Sequence, residues 1–291
     1  FSYFTGNGQD GLHLAYSRDG LRWKALQDGR PFLEPRIGGK LMRDPSIVRG
    51  PDGTFHLTWT TGWWKEGLGI GIAHSKDLID WSEQTLLPVM EQEPKAVNCW
   101  APEIYYDEEM DQFLICWATT IPGRFTETAD PKDEKRNHRM YSIATRDFKT
   151  YTETALFYDP GFSVIDTFIL RDKENDRYVL FLKNETNVPA PEKNIRVAFA
   201  EKAAGPYGPA SEPITGNYWA EGPSALKIDG RWIVYFDKYI ERQYGAVASY
   251  DLKKWVDISD QVEFPPGARH GTTFAVPPAV LEKLMAAEAE L

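Results

Sequence analysis

The stretch Ile70-Gly71-Ile72-Ala73-His74-Ser75-Lys76-Asp77, followed by Trp81, is one copy of a unit that recurs along the chain. The unit consists of an alternating strand, a Ser/Thr-x-Asp turn and, a few positions later, an aromatic residue. The aromatic residues of the five copies are Trp23, Trp81, Tyr151, Tyr207 and Trp255. The copy before Tyr207 is degenerate, but the other four keep both the strand and the turn. A long internal period of this kind is typical of a repeat architecture.

A second kind of element lies between these units, namely a hairpin of two apolar runs joined by a polar or glycine-containing turn. The clearest example runs from Pro45 to Thr60, with Pro51-Asp52-Gly53 at the turn. Asp-Gly between alternating apolar runs is a strong hairpin signal. Three more hairpins follow, at 104–118, 168–183 and 225–237. Each period therefore holds about four antiparallel strands, which is the content of a β-propeller blade.

The strands of the remaining hairpin lie at opposite ends of the chain, at 271–276 and 1–5. Pairing them in one blade closes the ring and removes a sheet edge. The sequence therefore predicts an all-β fold, a five-bladed β-propeller with four antiparallel strands per blade, as a single domain over residues 1–291. Residues 279–291 have helical spacing and predict a short C-terminal helix. A two-domain sandwich is the competing interpretation, but it leaves the period unexplained.

Composition limits the classes of partner. The 291 residues carry a formal net charge of −10, which argues against nucleic-acid binding because phosphate contacts need a basic surface. No apolar run approaches the ~20 residues of a membrane span, so no membrane partner is expected. Cys99 and Cys116 are predicted to be buried thiols rather than a disulfide framework. A cytoplasmic protein and a periplasmic or extracellular one with a removed leader are both compatible with the start at Phe1, and the oligomeric state is open.

Acidic residues mark the starts of the predicted innermost strands, which a propeller brings together around a central funnel. Four of the five starts carry a carboxylate, and the fifth carries Arg269 and His270. The acids are Asp44, Glu103, Asp166 and Glu221. Four like charges at one funnel repel one another, and a fold tolerates this where chemistry or a cation requires it. The pattern therefore indicates an active site in the funnel.

Glycoside hydrolysis uses two carboxyl groups that flank the scissile bond, one as proton donor and the other as base or nucleophile. A third acid close to the donor can raise the pKa of the donor, so that it stays protonated near neutral pH. Asp44, Asp166 and Glu221 supply such a trio. Gly222 and Pro223 follow Glu221 and fix the turn into its strand.

The order of these short motifs resembles glycoside hydrolase family 43 and its clan of five-bladed propeller glycosidases. The motifs are Arg43-Asp44-Pro45, Trp100-Ala101-Pro102-Glu103, Ile165-Asp166-Thr167, Glu221-Gly222-Pro223 and His270. The resemblance implies an inverting reaction with Asp44 as general base, Glu221 as general acid and Asp166 as the residue that tunes the pKa of the donor. It also implies that no cofactor is required and that His270 lies on the axis beside a water or a structural calcium ion.

Two positions depart from the family pattern. Thr167 replaces the usual proline after the third-blade acid, but the acid itself is kept. Glu103 replaces the usual aspartate in the second blade. Its extra methylene is expected to reach further into the funnel and to alter the pocket floor, and so the sugar accepted.

Further residues near these motifs are candidates for substrate binding. They are Trp63, Trp64, Trp100, Trp219, Glu103, Arg43 and Arg269. Indole faces stack on the C–H surfaces of sugars, and the adjacent Trp63 and Trp64 cannot both point inward from a strand. Lys183 and Lys238, in contrast, lie at strand ends and are predicted to be solvated. The insertions 123–138 and 185–193 are predicted to be surface loops.

The resemblance points to plant cell-wall pentosides, with α-L-arabinofuranosides or β-xylosides first, presented as oligosaccharides or as side chains of a polysaccharide. An exo-acting galactosidase or galactanase is an alternative. So is a retaining fructoside-type hydrolase, because Arg43-Asp44-Pro45 resembles a motif of that family, although the separate N-terminal nucleophile of those enzymes has no counterpart here. A non-catalytic sugar-binding propeller is the alternative from another class.

Overall fold

The computed structural model describes residues 1–289 and confirms the five-bladed β-propeller. In this range the chain forms nineteen β-strands in five antiparallel sheets and one α-helix. The strands are β1 (Ser2–Phe4), β2 (His13–Tyr16), β3 (Lys24–Ala25), β4 (Arg43–Arg49), β5 (Phe55–Thr60), β6 (Ile70–Ser75), β7 (Thr85–Leu87), β8 (Trp100–Asp107), β9 (Gln112–Thr119), β10 (Arg139–Thr145), β11 (Ala155–Tyr158), β12 (Val164–Asp172), β13 (Arg177–Asn184), β14 (Asn194–Ala200), β15 (Glu221–Ile228), β16 (Arg231–Lys238), β17 (Gln243–Ser249), β18 (Val256–Asp257) and β19 (Arg269–Thr272). The helix is α1 (Pro278–Ala289), and short 3₁₀ helices lie at Gln27–Gly29, Trp64–Gly67, Thr126–Thr128 and Glu134–Arg136.

Blades 1 to 4 follow the chain as β4–β7, β8–β11, β12–β14 and β15–β18. Blade 5 joins β19 to β1, β2 and β3, so the predicted closure by the two ends of the chain is confirmed. Across that closure Ser2 pairs with Thr272 and Phe4 with Arg269. The innermost strands β4, β8, β12, β15 and β19 contact one another in this order around the ring.

Blade 3 has three regular strands in the described part of the chain, and residues 208–214 take the place of the fourth. The backbone N–H groups of Gly208, Ser211 and Ile214 donate hydrogen bonds to carbonyls of β14. These bonds recur every three residues rather than in a regular ladder. The irregular edge coincides with the degenerate copy of the repeat.

The Ser/Thr-x-Asp motif closes the turn between the third and fourth strands of a blade. In blade 1 the Ser75 hydroxyl accepts the N–H of Leu78 at 2.8 Å, and Asp77 Oδ1 accepts the N–H groups of Ile79 and Asp80 at 3.0 and 2.9 Å. The same pattern forms at Ser17/Asp19, Thr145/Asp147 and Ser249/Asp251. Side chains thus satisfy backbone donors that the turn leaves without a strand partner.

The core is divided into five apolar wedges, one between each pair of neighbouring blades. Each wedge contains one aromatic residue of the repeat, which explains why the period carries an aromatic anchor. Helix α1 begins one residue before the predicted start and packs Leu284 into the wedge between blades 5 and 1. Residues 290 and 291 of the predicted helix lie outside the described residues.

Two further expectations concern thiols and membranes. Cys99 and Cys116 are buried and free, as predicted. Within residues 1–289, no helix has the length and hydrophobicity needed to cross a membrane.

Candidate active site

The innermost strands of blades 1 to 4 begin with the same irregularity. In each of them the pairing with the second strand slips by one residue, between Arg43 and Ser46 in blade 1 and between Glu221 and Ser224 in blade 4. The residue within the slip has a left-handed backbone, with φ of 51° at Asp44, 47° at Ala101, 56° at Asp166 and 59° at Gly222. Such a conformation costs a non-glycine residue about 1–3 kcal/mol and is often found at functional sites. A bulge of this kind re-aims side chains.

The bulge sorts the predicted acids by depth. Asp44 and Asp166 occupy the left-handed position itself, and His270 takes the corresponding place in blade 5, directly after the pair Arg269–Phe4. Glu221 lies one residue earlier, towards the rim. Glu103 lies two residues later, where blade 1 has Ser46 and blade 4 has Ser224. The four strand starts are therefore not equivalent in depth, which the short motifs did not reveal.

Side chains from all five blades line a cavity of about 160 Å³ at the end of the funnel. Its described lining is Arg43, Asp44, Thr60, Trp63, Trp100, Ala101, Arg136, His138, Ile165, Asp166, Lys183, Glu185, Glu221 and His270. The predicted trio of acids is thus brought together, with His270, Arg43, Trp63 and Trp100. Four other candidates, Trp64, Glu103, Trp219 and Arg269, are not part of this described lining.

Asp44 is held in its ionised form by its surroundings. Thr60 Oγ1 donates a hydrogen bond to Asp44 Oδ2 at 2.7 Å, and His270 Nδ1 lies 3.3 Å from Asp44 Oδ1. Burial alone raises the pKa of Asp44, but the charge and hydrogen bond of His270, together with Arg43 and Thr60, outweigh burial and keep that pKa well below its usual range. A buried carboxylate of this kind can accept a proton from water in a reaction.

His270 links the acids of blades 1 and 3. Its Nδ1 lies 3.3 Å from Asp44 Oδ1 and 3.9 Å from Asp166 Oδ2. Burial lowers the pKa of His270, but the negative charges of Asp166 and Asp44 outweigh it and raise the pKa to about 9. The imidazole is therefore a cation at neutral pH, and it offsets part of the repulsion between the acids.

Asp166 is buried at the start of β12, and its pKa is shifted upwards. Burial raises the pKa of Asp166 to about 6; Glu221 and Asp44 add to the shift, whereas His270 and Lys183 oppose it. The backbone N–H of Gly222 donates a hydrogen bond to Asp166 Oδ2 at 3.0 Å. This bond ties the third-blade acid to the residue that follows Glu221.

Glu221 is partly exposed to the cavity, and cations hold both of its carboxylate oxygens. Lys183 Nζ lies 3.2 Å from Oε2, and Arg269 Nη2 lies 3.3 Å from Oε1. Arg269 is itself fixed by Asp237, the residue paired with Glu221 on β16, at 2.7 Å. Arg269 therefore acts on Glu221 from outside the described lining of the cavity.

The prediction that Lys183 is solvated is wrong, because this residue is buried together with Glu185 and Lys193. Glu185 Oε2 lies 2.8 Å from Lys183 Nζ, and Glu185 Oε1 lies 2.7 Å from Lys193 Nζ. The insertion 185–193 is therefore anchored at both ends in the interior, although its middle is exposed. Lys238, in contrast, is partly exposed and lies over the Tyr218 ring.

Glu103 lies below the cavity and is buried. Ser46 Oγ donates a hydrogen bond to Glu103 Oε2 at 2.6 Å. Burial raises the pKa of Glu103 to about 8, against the opposing effects of Ser46 and His270. Glu103 is therefore mostly neutral at pH 7, and its expected contact with the sugar has no counterpart in the described cavity lining.

The tryptophan candidates take different places. Trp100 is buried with Trp63 edge-on at 5.4 Å, and the Arg43 guanidinium lies 4.5 Å from the Trp63 ring centre. Trp63 is 38% exposed and lines the cavity. Trp64 packs beside Trp100 at 4.6 Å, in an adjoining groove. Trp219 is 39% exposed beside Tyr239, directly before Ala220 and Glu221.

Several lining residues were not singled out from the sequence. His138 belongs to none of the motifs, yet it is buried beside Trp100 and hydrogen-bonded to Thr120. It ends the insertion 123–138, so this predicted surface loop also reaches the site. Thr60 bridges two blades, because its hydroxyl also accepts the N–H of Ala101 at 2.8 Å. Thr60 and Lys183 lie on the second strand of their hairpins, where they pair with Arg43 and Ile165, the residues just before the bulged acids. Matching the two strands of each hairpin across its turn could have found both.

Residues 1–289 contain no group of three or more His, Cys, Asp or Glu side chains arranged to hold a metal ion. Nδ1 of His270 is engaged with carboxylates. The axial calcium therefore stays a prediction, and no step below depends on it.

Sequence comparison links the chain to a known family. Residues 1–282 match the family described as "Probable glycosyl hydrolase domain", which is related to glycosyl hydrolase family 43. An α-L-arabinofuranosidase of Bifidobacterium longum subsp. longum is 23% identical over 337 residues, covering 91% of this chain and 31% of that protein. The chain thus spans about a third of the length of this relative.

Solved structures share the fold. An α-L-arabinofuranosidase from Lactobacillus brevis superposes with a TM-score of 0.56 at 19% identity, covering 75% of this chain and 72% of that chain. An exo-β-1,3-galactanase from Phanerochaete chrysosporium superposes with a TM-score of 0.57 at 10% identity, covering 78% of this chain and 52% of that chain. At these identities the likeness concerns the fold alone. Because the family match spans residues 1–282 and so takes in all five blades, the chain belongs to the family 43-related glycosyl hydrolases.

Proposed function

We propose that the protein is an inverting glycoside hydrolase that cleaves one sugar unit at a time from an oligosaccharide or a polysaccharide side chain. One observation carries this proposal: carboxylates from blades 1, 3 and 4 line the same small cavity. Its volume of about 160 Å³ is several times the ~30 Å³ share of a water molecule in the liquid, so it has room for one small sugar ring.

In the proposed reaction Asp44 is the general base. It removes a proton from a water molecule while the oxygen of that water forms a bond to the anomeric carbon. The low pKa of Asp44, caused by His270, Arg43 and Thr60 against the effect of burial, keeps this residue ionised, which is the form that a general base needs. Thr60 and His270 also fix the direction of its two oxygens.

Glu221 is the proposed general acid. Its O–H bond breaks as a new O–H bond forms on the glycosidic oxygen, which leaves with the electron pair of the broken C–O bond. Asp166 fixes the backbone of Gly222 next to the acid and is the proposed modulator of the donor. After product release Asp44 returns its proton to solvent and Glu221 takes one up.

Two features support a pentoside as substrate. The named relatives include α-L-arabinofuranosidases, and the cavity is small. We therefore place α-L-arabinofuranosides and β-xylosides first. A galactoside comes next, because an exo-β-1,3-galactanase shares the fold. Trp63, which lines the cavity, and the exposed Trp219, two residues before Glu221, are proposed to contact the sugar and its neighbour in the glycan.

A hydrolysis screen on aryl α-L-arabinofuranosides, β-xylosides and β-galactosides tests the proposal. Wild-type protein is expected to release the aryl alcohol from one pentoside. Asp44→Asn and Glu221→Gln are each expected to lower kcat by roughly 10²–10⁴-fold, the usual contribution of a general acid or base. Glu153→Gln, at an exposed position, is the control. Binding of the same sugars without turnover would instead favour a non-catalytic propeller.

The proposed steps need no cofactor. Dialysis against EDTA is therefore expected to leave the rate unchanged, which the same assay measures. A loss of rate that added Ca²⁺ restores would contradict this and would support an ion beside His270.

A further inference from the structure

The buried charges beside Glu221 take no part in the two proton transfers described above. Lys183, Glu185 and Lys193 form a chain of ion pairs that ends on the proposed general acid. All three side chains are buried, and Lys183 and Glu185 also line the cavity.

Lys183 is the link between this chain and the acid. Its Nζ lies 3.2 Å from Glu221 Oε2, 2.8 Å from Glu185 Oε2 and 4.8 Å from the centre of the Tyr239 ring. Glu185 is held in turn by Lys193, whose Nζ lies 2.7 Å from its carboxylate and also donates to its backbone carbonyl at 2.9 Å. The ammonium group of Lys183 is thus fixed from behind while it faces the acid.

Stability alone is a poor reason for such an arrangement. Removing an ammonium ion from water is costly, and buried ion pairs can often be replaced by apolar residues without loss of stability. A lysine kept beside a cavity carboxylate is better explained by the charge that the reaction creates there. Preorganised charges aimed at developing charge are among the largest contributions to catalysis.

We propose that Lys183 is a positioning residue that orients Glu221 and stabilises the carboxylate left when Glu221 gives its proton to the departing oxygen. This role rests on the proposed function. As the O–H bond of Glu221 breaks, a full negative charge forms 3.2 Å from the ammonium group. The attraction is therefore stronger in the transition state than in the substrate complex, which is the condition for raising kcat.

The same backbone region ties the charge chain to the acid. The N–H of Ala220, directly before Glu221, donates to the carbonyl of Lys193 at 2.9 Å. Lys193 therefore fixes the main chain of the acid as well as the side chain of Glu185. Lys193→Met is expected to weaken the effect of Lys183 without removing it.

Leaving-group dependence tests this role. The 2,4-dinitrophenolate group of a 2,4-dinitrophenyl glycoside can leave without being protonated. The phenolate group of a phenyl glycoside of the same sugar needs a proton from the general acid. Lys183→Met is expected to lower kcat on the phenyl glycoside by roughly 10²-fold, the lower range for acid catalysis. On the dinitrophenyl glycoside the same substitution should lower kcat by less than about 10-fold. Glu221→Gln should show the same pattern more strongly.

Two further variants keep the test decisive. Lys183→Gln retains a hydrogen-bond donor without the charge, and it replaces Lys183→Met if that protein does not fold. Lys238→Met removes a lysine that stacks on Tyr218 at the end of β16, and it should behave as wild type on both substrates. Activity on the dinitrophenyl substrate itself shows that a variant is folded.

Each outcome decides the matter. An equal loss on both substrates, or no loss, in an active protein would overturn the role of Lys183 and leave the proposed function standing. Wild-type protein that hydrolyses neither glycoside would overturn the proposed function and this role with it.

Discussion

Asp44 and Asp166 occupy equivalent bulge positions, yet their pKa values are shifted in opposite directions. Both are buried, and burial raises the pKa of each. Asp44 lies closer to the His270 nitrogen, at 3.3 against 3.9 Å, and also accepts a hydrogen bond from Thr60. Its pKa is therefore low, whereas that of Asp166 rises to about 6. Environment rather than residue type separates a base from a modulator in such sites.

Glu103 is buried below the cavity, and its protonation links folding to pH. Because burial raises its pKa from 4.5 to about 8, the folded protein keeps a proton that the unfolded chain releases as pH rises above 4.5. Glu103→Gln mimics the protonated acid and can still accept the hydrogen bond from Ser46. The free energy of unfolding of Glu103→Gln minus that of wild type is therefore expected to increase by roughly 1.4 kcal/mol per pH unit as pH rises from 5 to 8.

Urea unfolding of both proteins at several pH values measures this gain. Glu153→Gln, at an exposed site, should follow wild type throughout. A difference between Glu103→Gln and wild type that does not change with pH would show that Glu103 is ionised in the folded protein.

The residues of the site were predictable to different degrees. Asp44, Asp166 and Glu221 could be found because each belongs to a short motif at a strand start. Lys183 and Lys238 looked alike at strand ends, but register separates them. Lys183 pairs with Ile165 at the bulge, whereas Lys238 lies one residue beyond Asp237, the partner of Glu221. Successive side chains of a strand point to opposite faces, so only Lys183 turns to the acids.

Among the elements, the bulged innermost strands matter most for the site. Apolar alternation predicted the hairpins, since that pattern is local to each strand pair. It did not predict the one-residue slip, because register depends on which residues of the second strand are paired. The depth of Glu103 relative to Glu221 follows from this slip. Gly222 is the one bulge residue for which a side chain has no room, since a Cβ there would lie 2.4 Å from His270 Cδ2.

Gly222→Ala should therefore disturb the centre of the site. Its φ of 59° costs alanine about 1–2 kcal/mol, and the contact with His270 adds about 1–3 kcal/mol of overpacking. The displaced ring should also loosen the contact with Asp44 and lower kcat. Denaturant unfolding and the aryl glycoside assay measure the two effects.

Gly230→Ala in the turn of the same hairpin is the matched control. Its φ is 76°, but nothing lies within 4 Å of the added carbon. Gly230→Ala should lower the free energy of unfolding only by the cost of the left-handed backbone, about 1–2 kcal/mol, and should keep its activity. Equal losses of stability and activity in the two variants would refute the proposed contact.

For the whole molecule, the ring brings distant motifs together. Closure by β1 and β19 was predictable because the repeat leaves one hairpin divided between the two ends of the chain. The burial of Lys183, Glu185 and Lys193 beside the acids of the cavity was not predictable, because it depends on how neighbouring blades and the insertion pack together. Buried charges also link stability to pH.

Stability is expected to fall on both sides of about pH 6. Burial lowers the pKa of His56 to about 4 and that of His138 to about 3. As pH falls below 6.5, these histidines therefore bind protons in the unfolded chain before they do so in the folded protein, and the folded protein loses stability. The pKa of His270 is raised to about 9, so its contribution is present below 6.5 and is lost as pH rises through 9. Thermal unfolding from pH 4 to 9 checks this. Stability that kept rising from pH 7 to 9 would contradict the charge assigned to His270.

The stereochemistry of the released sugar tests the central claim most directly. Proton NMR during the first minutes of hydrolysis identifies the anomer before it equilibrates in water. With Asp44 activating water on one face and Glu221 protonating the departing oxygen on the other, the first sugar to appear should have the inverted configuration. A first-formed sugar with the configuration of the substrate would mean that a carboxylate attacks the sugar directly, and Asp44 would not be the base.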